Sequence, residues 1–260
     1  MRMLLSSRKL VSLLLFMCLA SGVSAQSPTS RGNVPAEHLR AQVEHLDRMW
    51  LDSRGKSPQW FLAEYDFDNR GYNVLHFMGF SPLPHGFSIW GFIDLEGADL
   101  QGSDRAELSR YFLEIDLKKQ VWKNAGLVAE LNDLQGVGNE IGRVGAYWQP
   151  DTSWLSIEQG PLAGPFKLGF KCFPVETDGQ GGQLSFNWNK RFDNVLGGRL
   201  SAGGFFDWNY GIGPRNEIRI VTEHQIRWRL MGGLHLITEF RQNDFLADNF
   251  GIAPGIQYRF

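Results

Sequence analysis

The sequence predicts an all-β fold, a closed antiparallel transmembrane β-barrel of about twelve strands preceded by a short N-terminal helix. Three observations predict it. First, the last eleven residues alternate without a miss. Phe250, Ile252, Pro254, Ile256, Tyr258 and Phe260 fall on one face, and Gly251, Ala253, Gly255, Gln257 and Arg259 fall on the other. Successive side chains of a strand point to opposite faces, so this segment has one oily side and one small or polar side. Second, the chain opens with the pattern of a secretory leader. Third, no apolar run of membrane-helix length follows that leader, although the chain holds 30 Gly, 19 Phe and 9 Trp. Its hydrophobicity is spread two residues at a time, as on the lipid face of a barrel. A soluble sandwich strand can alternate in the same way; an exported chain that closes on an apolar-out strand and an aromatic fits the barrel better.

Residues 1–25 are expected to be the signal peptide. Arg2, Arg8 and Lys9 give the positive start, Leu10 to Leu19 the apolar stretch, and Val23-Ser24-Ala25 the small residues for cleavage. The apolar stretch is too short to span a bilayer. Cys18 follows Phe16 and Met17 rather than a small residue, which argues against lipidation. Cleavage leaves 23 basic against 28 acidic residues, a mildly acidic balance with no footprint for a nucleic-acid polymer. It also leaves Cys172 alone, so no intramolecular disulfide can form.

Residues 26–58 read as a lead-in carrying an amphipathic helix over 35–52. Leu39, Val43, Leu46 and Trp50 recur at spacings of three and four, with Pro35 at the start and Gly55 beyond the end. Such a helix can plug a lumen, lie on the periplasmic rim or act as a spacer.

From 59 to 260 period two takes over. In the best strand Ile218, Ile220, Thr222, His224, Ile226, Trp228 and Leu230 oppose Glu217, Arg219, Val221, Glu223, Gln225, Arg227 and Arg229. Strands are expected near 59–67, 73–80, 86–96, 108–117, 125–132, 142–149, within 153–173, and at 182–190, 197–208, 217–229, 233–242 and 249–260. The phase breaks at Gly160-Pro161-Leu162-Ala163-Gly164, so 153–173 is one interrupted strand or two short ones. One keeps the count even, as bacterial barrels require. The longer connections 97–107, 133–141, 174–181, 209–216 and 243–248 then share the outer side. Met231-Gly232 and Pro150-Asp151-Thr152 turn on the inner side.

At Trp90-Gly91-Phe92-Ile93-Asp94 and Tyr111-Phe112-Leu113-Glu114-Ile115 the chain resembles the Tsx-like family of nucleoside-specific outer-membrane channels, in particular a poorly characterised branch. Glu64-Tyr65-Asp66-Phe67, Gly204-Phe205-Phe206-Asp207-Trp208 and the closing strand to Phe260 fit the same pattern. The resemblance implies a monomeric twelve-stranded barrel that passes small solutes, nucleosides in the best-known members. It places no nucleoside-binding position here.

The charged face of each strand argues against a dry core, because buried charges are costly, whereas a water-filled lumen accepts them. Turned inward, the first five strands contribute Glu64, Asp66, Asp94, Glu96, Glu114, Asp116 and Glu130 against Arg110. Later strands contribute Arg143, Lys167, Lys171, Arg199, Arg219, Arg227, Arg229 and Arg241, with Asp207, Glu217, Glu223 and Glu239 among them. This predicts a transverse field, acidic wall against basic wall, that favours polar or zwitterionic solutes. Inward Trp90, Phe92, Phe112, Tyr147 and Phe205 offer planes on which a flat base can stack. The candidate lumen and solute-binding residues are therefore Asp66, Trp90, Asp94, Arg110, Glu114, Tyr147, Phe205, Asp207, Arg219, Glu223 and Arg227.

An outer-membrane channel for small polar solutes, in a Gram-negative-type bacterium, is the function expected. Its partners would be outer-membrane lipid and the barrel-assembly machinery, engaged through the strand ending at Phe260. The alternatives are a non-conducting structural or surface-recognition barrel and an outer-membrane lipid hydrolase. The hydrolase is disfavoured because lipid-facing His224 has Thr222 and Ile226 as neighbours and no serine, while His85 and Ser88 fall in an inner turn. The six histidines show no metal-ligand spacing, and no catalytic residue or cofactor is assigned.

Overall fold

A computed structural model of the chain describes residues 59–97, 108–134, 140–177, 181–212, 215–245 and 249–260. The leader, the 26–58 lead-in and its expected 35–52 helix lie outside the described residues, as do the side chains of 108–110. Twelve strands are present among them: β1 (Trp60–Phe67), β2 (Asn73–Leu83), β3 (Phe87–Gly97), β4 (Leu108–Trp122), β5 (Ala125–Leu134), β6 (Glu140–Trp148), β7 (Phe166–Glu176), β8 (Gly182–Phe192), β9 (Leu200–Ile212), β10 (Glu217–Met231), β11 (Leu234–Asn243) and β12 (Phe250–Arg259). Each pairs antiparallel with its neighbours in sequence, and β1 pairs with β12 from Leu62↔Arg259 to Asp66↔Gly255, so the sheet closes without a free edge. The last residue helps to seal this seam. The Phe260 amide donates to the Phe61 carbonyl (3.0 Å), and the two rings lie 5.6 Å apart.

The polarity is that of a transmembrane barrel, inverted relative to a soluble protein. Leu117, Val144, Ile226 and Ile256 are 42%, 68%, 46% and 51% exposed, whereas Asp66, Asp116 and Glu239 are between 0% and 1%. Outward aromatics mark both ends of the apolar belt, Phe67 and Phe250 at one and Trp148, Trp228 and Tyr258 at the other. These are the positions of the interfacial girdles. Cys172 sits on the outer face with Phe170 as expected. The end where the chain enters β1 and leaves β12 is called the near end below.

The uncertain segment resolves into one strand. Residues 149–165 form a long connection at the near end, with a single helical turn at Ser153–Leu155 and a bridge between Ile157 and Gly164. Pro161 and Pro165 lack an amide to donate, and Gly160 and Gly164 adopt positive φ (82° and 122°), so a ladder cannot run through them. The excursion is tied down by the Lys190 ammonium donating to the Gly164 carbonyl (2.6 Å) and the Asp193 amide donating to Ala163 (2.9 Å). The expectation of only short turns at this end therefore fails here.

Small residues on the inner face of β12 have a packing reason. A side chain at Gly255 would lie 2.7 Å from the Asp66 side chain, and one at Gly251 would lie 2.6 Å from the Arg70 guanidinium. Keeping this face low lets side chains of β11 reach over β12 to β1 and β2.

Candidate functional site

Two ion-paired clusters line the lumen. The first is built on β4–β7. Lys171 of β7 extends past β6 and β5, bringing its ammonium 2.6 Å from Glu130, 3.2 Å from Asp116 and 3.4 Å from Glu114. Arg143 of β6 donates to Glu130 (2.6 Å) and Glu176 (2.5 Å), and Lys118 lies 3.1 Å from Asp116. Lys171 also comes within 5.9 Å of the Trp90 ring on β3, four strands away, so its side chain crosses part of the lumen.

The second cluster joins β10 and β11 to β1, β2 and β3. His76 bonds Asp94 through Nδ1 (2.6 Å) and Asp66 through Nε2 (2.8 Å). Arg241 Nη2 lies 2.9 Å from the same Nε2. Arg241 reaches over β12 to donate to Asp66 (2.8 Å), bonds Glu239 and stands 3.5 Å from Glu223. Glu64 accepts from Gln225 (2.7 Å) and Gln257 (2.6 Å). In both clusters three potential metal-ligand side chains converge, Glu64, Asp66 and His76 in one and Glu114, Asp116 and Glu130 in the other, with atoms within 4.8 Å of one another. Each cluster already carries its own cation, Arg241 or Lys171, so the chain itself balances the carboxylates.

This geometry corrects the expected transverse field. Arg143, Lys171 and Arg241, counted on the basic wall, insert among carboxylates counted on the acidic wall. Charge is paired locally instead. The periodicity gives the inward face of Arg143, Lys171 and Arg241 correctly, but partner choice depends on strand tilt and side-chain reach, which a linear pattern does not encode.

The expected solute-binding residues are dispersed among these features. Asp66, Asp94 and Glu223 belong to the second cluster, Glu114 to the first, and Trp90 borders the first. Asp207 pairs in register with Ser185 and Val221, and its Oδ1 is buried without a hydrogen-bond partner. Phe205 pairs in register with Glu223 and Asn187. Tyr147 lies under the Lys118 ammonium at 5.8 Å. Arg110 is opposite Glu96 in the ladder, its side chain outside the described residues. Arg219 does not join a cluster: at the far end it bonds Glu217 (2.6 Å) and the Asp244 carbonyl (2.6 Å). Arg227 lies near the other end, donating to Gln225 (3.3 Å) and Ser201 (3.4 Å). Trp90, Phe92 and Phe112 form a row with centroids 5.5 and 5.6 Å apart and interplanar angles of 60° and 52°.

The residue that sequence reasoning missed is His76. Its strand is apolar on both faces, Val74, His76 and Met78 on one and Leu75 and Phe77 on the other, so alternation does not single it out. Its register partners Glu64 and Asp94, both acidic, are the signal available once pairing is known.

On the outer face, Trp188, His224 and Thr222 form a hydrogen-bonded chain. Trp188 Nε1 donates to His224 Nδ1 (3.3 Å), His224 Nε2 lies 2.9 Å from the Thr222 hydroxyl, and that hydroxyl donates to the Phe205 carbonyl (2.7 Å). An indole only donates, so Nδ1 accepts and the ring proton sits on Nε2. The imidazole therefore donates to Thr222 rather than withdrawing its proton, the opposite of a nucleophile–base pair. The arrangement satisfies a histidine on the lipid face.

At the far end, the 68–72 turn is organised by Asp68, which accepts from the Arg70 side chain (2.8 and 2.7 Å) and the Arg70 amide (2.9 Å). Burial alone would push the Asp68 carboxyl up, but these bonds outweigh it and hold it below the ordinary 3.8. The ionised form is thus favoured in the folded turn. Its contribution is complete above pH 4 and is lost as pH falls through the lowered value. Hydrogen exchange at the Arg70 amide is expected to stay slow at pH 5 and to speed up only in stronger acid; Asp68→Asn should abolish that dependence.

Comparison with solved structures gives distant likenesses. KdgM porin aligns with a TM-score of 0.48 and 10% identity, covering 78% of this chain and 99% of that one. A structure of KdgM porin in complex with disordered oligogalacturonate aligns at 0.47 with 10% identity and the same coverage. A mutant of the Rh. blastica porin aligns at 0.37 with 14% identity, over 74% of this chain and 56% of that one. No feature of the site is carried over from them; the closed barrel rests on its own strand pairing. No family model matches the chain, and no curated protein does.

Proposed function

We propose that this protein is an outer-membrane channel through which small polar solutes diffuse, its near end facing the periplasm. The observation that carries this is the inverted polarity of a closed barrel: an apolar exterior for lipid and an interior of charged and amide side chains. Closure by β1 and β12 within one chain fits a monomer, and the aromatic end of β12 fits recognition by the barrel-assembly machinery. Nucleosides enter as candidate solutes through the sequence resemblance and the Trp90–Phe92–Phe112 row.

The test is single-channel recording from the refolded protein in planar bilayers, with liposome swelling for nucleosides, sugars and amino acids. Discrete conductance steps are expected. Neutralising Asp94 or Arg227 in turn should change the order in which solutes enter.

A second reading, a non-conducting barrel, is favoured by one observation. The waist is crowded: Asp116 and Glu239 are 1% exposed, and Lys171 approaches Trp90 across the lumen. Absence of both steps and swelling would select it. Lipid hydrolysis has no support in the direction of the Thr222–His224 bond. Refolded protein is expected to release no fatty acid from phospholipid vesicles. His224→Leu should cost only about 1 kcal/mol, the typical worth of one hydrogen bond; vesicle hydrolysis lost in that variant would reverse this conclusion.

A further inference from the structure

One sector of the lumen wall is apolar through its near half, where a water-filled pore would favour polar side chains. In register, Trp60, Phe80 and Trp90 form one rung across β1, β2 and β3, and Leu62, Met78 and Phe92 form the next. Trp60 and Phe80 stack at 6.4 Å with an interplanar angle of 17°. The rung after these is Glu64, His76 and Asp94 of the second cluster. All three rungs share the inner face, since side chains two residues apart on a strand point the same way. Across the lumen the same end is lined by polar side chains from β8 to β12, among them Arg191, Arg199, Arg227, Arg229 and Arg259. The near half of the lumen is therefore two-sided, apolar on β1–β3 and polar opposite.

We propose that segment 35–52, which lies outside the described residues, docks as a helix inside this near half, with its apolar stripe on the β1–β3 wall, and narrows the channel there. The inference goes beyond the channel reading, because where the segment sits does not depend on conduction. Trp60 opens β1 at the near end, so the chain delivers the segment to this mouth. Residues 53–58 join the two, and six extended residues reach about 20 Å, enough for the chain to reverse into the lumen. Gly55 and Pro58 suit that reversal. From Leu39 to Trp50 the stripe is about 17 Å long at the helical rise per residue. Phe92 lies five residues inside the near end of β3 at Phe87, so the apolar wall is also about 17 Å deep along the strand. Stripe and wall match in length. Glu37, Glu44 and Asp52 fall on the side of the helix away from Leu39, Val43, Leu46 and Trp50, and so meet the polar wall. Docking removes both apolar faces from water, which supplies the driving force. Eleven-stranded barrels already enclose a central helix, so twelve strands leave room for one.

The test uses the refolded full chain in a Cys172→Ser background, with paired cysteines and a short bis-maleimide cross-linker. Leu46→Cys is combined with Met78→Cys on the lumen wall, with Phe77→Cys on the opposite face of the same strand, or with exposed Trp154→Cys in the near-end connection. The expected result is cross-linking of the 46–78 pair at least fivefold above the other two. Breaking the stripe with Val43→Asp/Leu46→Asp should raise single-channel conductance severalfold. Cross-linking of 46 to 154 in preference to 78 would place the helix on the outer rim and overturn the docking. Equal cross-linking to all three positions, or to none, would overturn it as well. A 46–78 cross-link with conductance unchanged in the stripe variant would support the docking and overturn the narrowing. A 46–78 cross-link with no conductance in the parent or the stripe variant would overturn the channel and still support the docked helix.

Discussion

Replacing Lys171 with methionine is expected to cost the folded barrel about 3–5 kcal/mol, the usual penalty for removing one partner of a buried ionic cluster. The ammonium lies within 3.4 Å of three carboxylates, and Asp116 and Glu130 are 1% and 4% exposed. Methionine keeps most of the volume, so the effect reports charge rather than a cavity. Without the cation, Glu130 retains Arg143 and Asp116 retains Lys118, while Glu114 loses the only salt bridge described for it. Urea unfolding of the refolded protein in detergent or lipid measures the loss. Adding Glu114→Gln to Lys171→Met should recover part of it, because the two sites couple through a shared contact. A Lys171→Met midpoint equal to that of the parent would mean that the cluster contributes no stability.

The second large effect is expected at Arg241. This side chain bonds Asp66 and Glu239, lies 3.5 Å from Glu223 and 3.8 Å from Asp68, and so ties β1 to β11 across the closing strand. Arg241→Met leaves Asp66 and Glu239, 0% and 1% exposed, short of their cation. A loss of about 3–5 kcal/mol is again expected, but it should appear at a different place. Hydrogen exchange should rise first along the β1–β12 seam, in particular at Tyr65, Asp66 and Gly255, and leave β4–β7 protected. Arg241→Lys should rescue only partly, since an ammonium lacks the guanidinium's paired donors. Uniform loss of protection around the barrel would show that the two clusters are not separate stabilising units.

What could be read from the sequence follows from what strand geometry makes periodic. The faces of β10 and β12 were legible because Ile218 to Leu230 and Phe250 to Phe260 alternate strictly, and the structure places both faces as expected. The even strand count was legible once 153–173 was taken as one strand; the Gly160–Gly164 break belongs to the connection before it. Strand ends were less legible. β4 runs to Trp122 and β9 to Ile212, beyond their expected limits, because polar residues such as Lys118, Asn209 and Tyr210 resemble loop composition yet sit in the ladder. The clusters were not legible at all as clusters. Lys171 and Asp116 are 55 residues apart and Arg241 and Asp66 are 175 apart, and their meeting depends on stagger, curvature and the low inner face of β12. The same holds for the near-end arginines Arg191, Arg199, Arg227, Arg229 and Arg259, which come from three strands and one turn.

Single cysteines placed along β10 in a Cys172→Ser background, each labelled with a fluorophore and reconstituted in vesicles containing spin-labelled acyl chains, report which face of the strand meets lipid. Labels at positions 220, 222, 226 and 228 are predicted to be strongly quenched, and those at 219, 221, 223 and 225 to be shielded, giving a two-residue alternation along the strand. Quenching that ignores this alternation, or that is strongest at the charged positions, would contradict a barrel with its ionised side chains turned inward.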